Sequence, residues 1–244
     1  MKDYKLNITW LYPKEMSTYG DRGNIIALKR RCEWREIEVE VHEAGLKDEI
    51  RPSDIYFFGG GQDLSQIQVA SDLKKNKKAA LAQEAEAGKV FLGICGGYQL
   101  FGHYYQDGEG NDLEGLGILD VTTKAGNRRM MGNLVVETAF LKERLVGFEN
   151  HSGKTHLGSK ARSLGKVIVG NGNNGEDKQE GAIQNNVYGC YLHGPVLPKN
   201  QEFADFLLKL ALQKKYGDLE LKFVNNNQEE LAHEQALERA HKTH

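Results

Sequence analysis

The sequence lacks the features that would place it in several large classes. No apolar run in its 244 residues approaches the ~20 residues of a membrane span. Its opening stretch, Met1-Lys-Asp-Tyr-Lys-Leu-Asn-Ile-Thr-Trp10, has no continuous apolar core of the secretory kind, which predicts a cytoplasmic protein. There is no basic excess: 32 Lys and Arg stand against 34 Asp and Glu, for a net charge of -2, so nucleic acid is not an expected partner. The three cysteines, Cys32, Cys95 and Cys190, are odd in number and far apart, which argues against a disulfide framework. No C-x-x-C pair points to zinc, and no metal site is expected. Repeats and flexible linkers are also missing. What remains, 39% hydrophobic and 27% charged, suits one or two globular domains with an ordinary core.

The first hundred residues alternate strand and helix. Residues 6–12 alternate apolar and polar and read as a strand ended by Pro13. The turn Gly20-Asp-Arg-Gly-Asn24 follows, with Asn24 as the expected cap of a helix to about Trp34. Residues 37–41 read as a second strand, and the nearly all-apolar 54–58 as a third of the buried parallel kind. Residues 64–87 read as one long helix with Lys74, Lys75, Lys77 and Lys78 on its wet side, and residues 89–94 as a fourth strand. This order predicts an α/β fold, a doubly wound, mostly parallel sheet flanked by helices, with ligands outside the strand C-termini. Beyond it, strands are expected at 116–121, 133–137, 145–149, 166–169 and 187–192, and a loop at Gly170–Gly175 whose spacing does not match an EF-hand. An amphipathic helix is expected at 202–214 and a charged one at 228–241. The domain expected to carry function is 1–216, with 217–244 as a C-terminal helical appendage.

The informative stretch is Lys89-Val-Phe-Leu-Gly-Ile-Cys95-Gly-Gly-Tyr-Gln99. An apolar strand runs into a cysteine followed by two glycines, the cysteine counterpart of the G-x-S-x-G nucleophile elbow. Glycine lets the backbone turn there without a Cβ clash. Cys95 would sit at the start of a helix, where unpaired N–H groups favour a thiolate. Cys32 and Cys190 read as buried structural thiols.

A thiolate acting on an amide needs a base that also protonates the departing nitrogen. Of eight histidines, His193 ends a late apolar strand before Gly194 and Pro195, which puts it on the sheet edge expected for Cys95. His151, in Phe148-Glu-Asn-His151, is the second candidate, and His233, His241 and His244 are expected to be solvated. An oxyanion would be met by the Gly96 N–H and by the Gly59-Gly60-Gly61 corner. The string His151-Ser-Gly-Lys-Thr155 imitates the tail of a P-loop, but Phe148 stands where its first glycine is required, so it reads as a loop without ATP.

Together these motifs resemble the class I (triad-type) glutamine amidotransferases, in the branch that includes cobyric acid synthase. Gly59-Gly-Gly-Gln-Asp63 looks like its oxyanion loop, Gly93-Ile-Cys-Gly-Gly-Tyr-Gln99 like its nucleophile motif, and Tyr191-Leu-His-Gly194 like its histidine motif. Tyr19-Gly-Asp-Arg-Gly-Asn-Ile25 and Leu113-Glu-Gly-Leu-Gly-Ile-Leu119 fit the same branch. Gly147-Phe-Glu-Asn-His151, Gly172-Asn-Asn-Gly-Glu-Asp-Lys178 and Leu192-His-Gly-Pro-Val-Leu-Pro-Lys199 resemble the GatD-type glutaminase subunits of lipid II isoglutaminyl synthase. The resemblance implies that Cys95 attacks the carboxamide of L-glutamine and that His193 protonates the ammonia released. It implies a glutamine site at Arg129, in Arg129-Met-Met-Gly132, with Gln99, Asn150 and His151; the neighbouring Arg128 stays open as an alternative. It also implies a heterodimer with a MurT-like ligase subunit that uses ATP and Mg to activate the D-glutamate α-carboxyl of lipid II, with no cofactor in this chain.

One departure stands out. The broader class carries a glutamate two residues after its histidine, and Pro195 occupies that place here. Either no acid is needed, or one comes from elsewhere in the chain or from the partner. Two other readings remain at this stage: a stand-alone cysteine hydrolase of related fold, and a non-catalytic binding module. Gln99 and the Arg129-x-x-Gly132 spacing favour the amidotransferase over the hydrolase. For the binding module, thiol titration of Cys95 is expected to return the free value of ~8.5.

Overall fold

The computed structural model describes residues 4–243. Strand β1 (Lys5–Leu11) leads through helix α1 (Arg22–Glu33) to β2 (Glu38–Ala44) and β3 (Ile55–Phe58). Helices α2 (Asp63–Asp72) and α3 (Lys78–Glu86) then return the chain to β4 (Val90–Ile94) and the short α4 (Gly96–Phe101). Small strands β5 (Tyr104–Gln106) and β6 (Asp112–Glu114) precede the long β7 (Val121–Glu137) and β8 (Leu145–Leu157). Strands β9 (Gly165–Val169), β10 (Gln179–Glu180), β11 (Ala182–Gln184) and β12 (Val187–Cys190) follow. Helices α5 (Val196–Lys199), α6 (Gln201–Tyr216) and α7 (Asn227–Lys242) complete the described chain.

The main sheet has the order β11-β12-β4-β3-β1-β2, parallel except for β11. All four residues of β3 and all five of β4 are buried, as befits strands covered on both faces. The parallel register sends the ends of β1, β3, β4 and β12 to one edge, where every loop of interest emerges.

The expected fold class is present, but the second half is not an extension of that sheet. It forms a second, mostly antiparallel sheet built on β7, which pairs with β8, β9 and β5. Residues 116–120, expected in a strand, are irregular, and the 133–137 strand is the end of the much longer β7. Residues 151–155 are not a loop but part of β8. The reason lies in the inward face of β8: Glu149, His151, Gly153 and Thr155 alternate there, all buried and none of them apolar. The period of two is present without the hydrophobicity that usually reveals it.

Three further expectations are corrected. The helix after β1 starts at Arg22, and Asn24 does not cap it: Asn24 is buried, and its Oδ1 accepts the Leu197 N–H at 2.8 Å. The long helix is broken by a π-helical turn, Leu73–Lys77. That turn brings Lys77 inward to Asp72 at 2.5 Å and over the Tyr12 ring at 4.9 Å, so Lys77 is not on the wet side. His233 is buried rather than solvated, because α7 docks on the second sheet. Ala240 packs with Val135, Val146 and Val169, and His233 Nδ1–H donates to Lys199 O at 2.6 Å. His241 is exposed, and His244 lies outside the described residues.

Helix α1 carries the turn that enters the site, and it is held from behind. Arg31 and Arg35, both buried, converge on Asp205 of α6 at 2.5 Å and 2.6 Å. Removing one member of a buried ion cluster strands the remaining charges. Asp205→Ala is therefore expected to destabilise the chain by about 3 kcal/mol, read by urea unfolding. A loss within 0.5 kcal/mol would show that α1 does not depend on this anchor.

Candidate active site

Four strand ends build the site. Cys95 follows β4 with φ 49° and ψ -105°, a left-handed position that costs a non-glycine residue on the order of 1–3 kcal/mol. Its N–H donates to Cys190 O at 2.8 Å, and Gly97 N–H donates to Gly59 O at 3.1 Å. The elbow can lie this close to the β3 corner only because position 97 has no side chain; a Cβ there would come within 2.3 Å of Phe58 O. Local sequence thus explains the turn, and the neighbouring strand explains why it is glycine.

The thiol is 9% exposed, and burial pushes it up to about 12, with the nearby Asp21 charge adding to the rise and the Gly96 N–H opposing it. The helix N-terminus does not outweigh burial here, because α4 is a single short turn and a half. A thiol raised in this way can act as a nucleophile only with a base to take its proton. His193, 1% exposed, emerges just beyond β12 and is locked by backbone pairing with Phe148 of β8: His193 N–H to Phe148 O is 2.8 Å, and Phe148 N–H to His193 O is 3.2 Å. Burial, and secondarily the charge of His151, lowers its pKa to about 4. A neutral imidazole is the form that can take a thiol proton.

A cleft of about 620 Å³ opens in front of Cys95. Of the residues singled out from sequence, Cys95, Gly61, Gln99, Arg129, Asn150 and His151 line it. His193, Gly60, Gly96 and Arg128 are not among the residues that line it. Arg129 sits in the irregular stretch of β7 between Ala125 and Met130, and its Nε–H donates to Asn150 Oδ1 at 2.5 Å. Asn150 in turn donates to Tyr19 Oη at 2.7 Å. Gln99 is buried; its Nε2 donates to Tyr191 Oη, and its Oε1 accepts from Gln66 Nε2, both at 3.2 Å. Gly60 differs from the sequence reading in one respect: its N–H is taken by Asp21 Oδ2 at 2.6 Å, which leaves Gly61 as the β3-corner glycine that faces the cleft.

His151 is stacked flat on Tyr191, with ring centroids 3.5 Å apart, and its Nδ1–H donates to Gly153 O at 2.8 Å. Behind it, Glu149 is fully buried. Its oxygens accept from the Asn171 and Gly172 N–H groups at 2.7 and 2.9 Å. These bonds and the nearby His151 hold its carboxyl below the ordinary value against the opposing effect of burial.

Sequence reading quoted Tyr19, Asp21 and Glu149 within family-like motifs but gave them no role in the site, and it passed over Gln66 and Glu180. Asp21 and Tyr19 lie in the turn after β1, a parallel strand whose C-terminal end faces the cleft, and that placement was the available signal. Nothing local marks Glu180, which is reached through β10. Among the described residues no group of three or more His, Cys, Asp or Glu could hold a metal ion, and no helix is long and apolar enough to cross a membrane.

A family model for the CobB/CobQ-like glutamine amidotransferase domain matches residues 7–201. The chain is 43% identical over 222 residues to a Streptococcus pneumoniae protein named lipid II isoglutaminyl synthase (glutamine-hydrolyzing) subunit GatD, covering 89% of this chain and 85% of that one. It is 41% identical over 241 residues to the Staphylococcus aureus protein of the same name, covering 98% of each. A solved glutamine amidotransferase superposes with a TM-score of 0.60 at 16% identity, covering 83% of this chain and 98% of that one, which is a likeness of fold.

Glu180 gives the site a measurable pH signature. It is wholly buried, and burial raises its pKa from 4.5 to about 8 against the Tyr191 N–H bond at 2.6 Å. Between those values the unfolded chain releases a proton that the folded chain keeps, so this group's contribution to stability falls as pH rises, by about 1.4 kcal/mol per unit. Glu180→Gln is expected to remove that slope. Urea midpoints at pH 5 and pH 7.5 check it, and parallel wild-type and variant lines would contradict the assignment.

Proposed function

Since the chain belongs to the CobB/CobQ-like glutamine amidotransferase family, we propose that it is the glutamine-hydrolysing subunit of a two-subunit enzyme that amidates lipid II in peptidoglycan synthesis. The observation that carries this reading is a cysteine on a strained strand-to-helix turn at a cleft that Arg129 also lines, with a buried neutral histidine that, like the cysteine, lies near Asp21. The names of the two relatives support the lipid II assignment and the existence of a partner subunit.

In this mechanism Arg129, steadied by Asn150, binds the α-carboxylate of L-glutamine and extends the side chain toward Cys95. His193 takes the thiol proton as Sγ attacks the carboxamide carbon. Gly96 and Gly61 N–H groups meet the oxyanion; Gly60 N–H stays with Asp21. His193 then gives its proton to the departing nitrogen, ammonia leaves, and water cleaves the thioester to glutamate. The ammonia passes to a MurT-like ligase subunit, where ATP and Mg activate the D-glutamate α-carboxyl of the stem peptide. The stretch that imitates a P-loop lies in β8, with Lys154 paired to Glu176, in keeping with nucleotide chemistry on the partner.

Ammonia release from L-glutamine, assayed with and without the ligase subunit, tests the proposal. Wild type with its partner should turn over and Cys95→Ala should not. No release by the wild-type pair would overturn it. Arg129→Ala is expected to raise KM at least ten-fold, whereas Arg128→Ala should leave KM within two-fold; the reverse pattern would reassign the glutamine carboxylate to Arg128.

A further inference from the structure

We propose that Gln66 is a specificity-determining residue of the cleft, whose carbonyl oxygen Oε1 accepts an N–H of the glutamine side-chain carboxamide. The inference deepens the glutaminase reading and rests on it for the identity of the substrate. Gln66 lies in the first turn of α2, which begins just after the Gly59–Gly61 corner. Helical side chains lean toward the helix N-terminus, so Gln66 reaches back over that corner. It is 3% exposed, and it lines the cleft together with Gly61, Cys95 and Gln99.

The amide is wedged between the two glycine corners. A Cβ at Gly96 would come within 2.3 Å of Gln66 Nε2 and 3.0 Å of Met16 Cε, and one at Gly61 within 2.1 Å of Met16 Sδ. Hydrogen bonding then fixes which way the amide faces. Gly61 O can only accept, and it lies 3.3 Å from Gln66 Nε2, so the group placed there is the NH2. The same NH2 donates to Gln99 Oε1 at 3.2 Å. Gln99 is held in turn through Tyr191 Oη at 3.2 Å, and Tyr191 Oη lies 2.6 Å from Thr155 Oγ1. Both hydrogens of the Gln66 amide are therefore engaged within the chain, and turning the amide over would lose both bonds.

The oxygen is left over. Gln66 Oε1 is buried and has no hydrogen-bond partner among the described residues. A buried acceptor without a donor is uncommon and costly. Gly61 and Gly96, whose N–H groups meet the oxyanion in the mechanism, both adjoin this amide. A carboxamide seated with its oxygen toward those N–H groups still has its NH2 to donate, and Oε1 lacks that donor. Because Oε1 is shut from bulk water, the entering amide meets it through a small displacement of the cleft wall, and water does not compete for it. Glutamate, the product, has no such N–H and would set a second oxygen against Oε1. The contact thus favours the amide over the acid, as a site built around a hydrogen bond does.

The test measures binding to the complex with the ligase subunit, carrying Cys95→Ala so that no turnover intervenes. The probes are L-glutamine and its methyl ketone analogue, which has CH3 in place of the NH2 and keeps the carbonyl. Calorimetry is expected to show glutamine bound ~10-fold more tightly than the ketone, the effect of one hydrogen bond whose loss leaves a buried acceptor unpaired. Adding Gln66→Met, which keeps the length and removes the acceptor, should bring the two affinities to within about two-fold of each other. Should that variant not fold, Gln66→Asn, which withdraws the oxygen by one CH2, is expected to narrow the preference to under about three-fold. Equal affinities with Gln66 intact would overturn the proposal without reference to any variant. So would a preference that survives the change at Gln66, even if both probes bind more weakly. If the preference depends on Gln66 but the wild-type complex releases no ammonia, the glutaminase reading falls and the carboxamide contact stands. If ammonia is released and the preference ignores Gln66, the contact falls and the glutaminase reading stands.

Discussion

The hydrogen bond from Gly97 N–H to Gly59 O sets the geometry on which the site depends. It joins two corners that end neighbouring parallel strands and brings their backbones closer than any side chain at position 97 would permit. Cys95 is held in its left-handed conformation by this contact and by the bond from its own N–H to Cys190 O. The strain at Cys95 is local, but the forces that maintain it come from both flanking strands. A backbone held this way is preorganised, as the nucleophile role proposed for Cys95 requires.

Burial sets the electrostatics around that cysteine. It raises the thiol and the carboxyls of Asp21 and Glu180, and it lowers His193. Each of these shifts favours the neutral form of the group. Glu149 is the exception, because three donors from Asn171 and Gly172 compensate its desolvation. The contrast shows which carboxylate is structural and which are free to respond: Glu149 has its bonds, whereas Asp21 keeps one oxygen unmatched. Any charge that forms beside these buried groups lies where its interactions are weakly screened.

The second sheet is where the sequence was hardest to read. In β8 the buried face is Glu149, His151, Gly153 and Thr155, and these side chains pair with one another's neighbours instead of forming an apolar layer. A polar inner face cannot be distinguished from a loop by hydrophobic period alone. His233 was misplaced for a related reason. The charged α7 exposes most of its surface, and only a narrow seam through Ala240 and His233 docks. A π-helical turn likewise put Lys77 inside a helix face that looks uniformly wet.

By itself the sequence determined the parallel sheet, the elbow at Cys95, the glycine corner at Gly59–Gly61 and the histidine at a late strand end. These are local features: a short apolar run followed by glycine has few conformations open to it, and parallel order follows from strand–helix alternation. Tertiary structure alone decided that Arg129 rather than Arg128 faces the cleft, that Gly60 N–H serves Asp21, and that Asp21 lies beside His193. Each of those depends on the register between segments far apart in the chain. A one-residue slip in β7 against β8, or a different entry into α1, would leave every local motif intact and change which side chains meet.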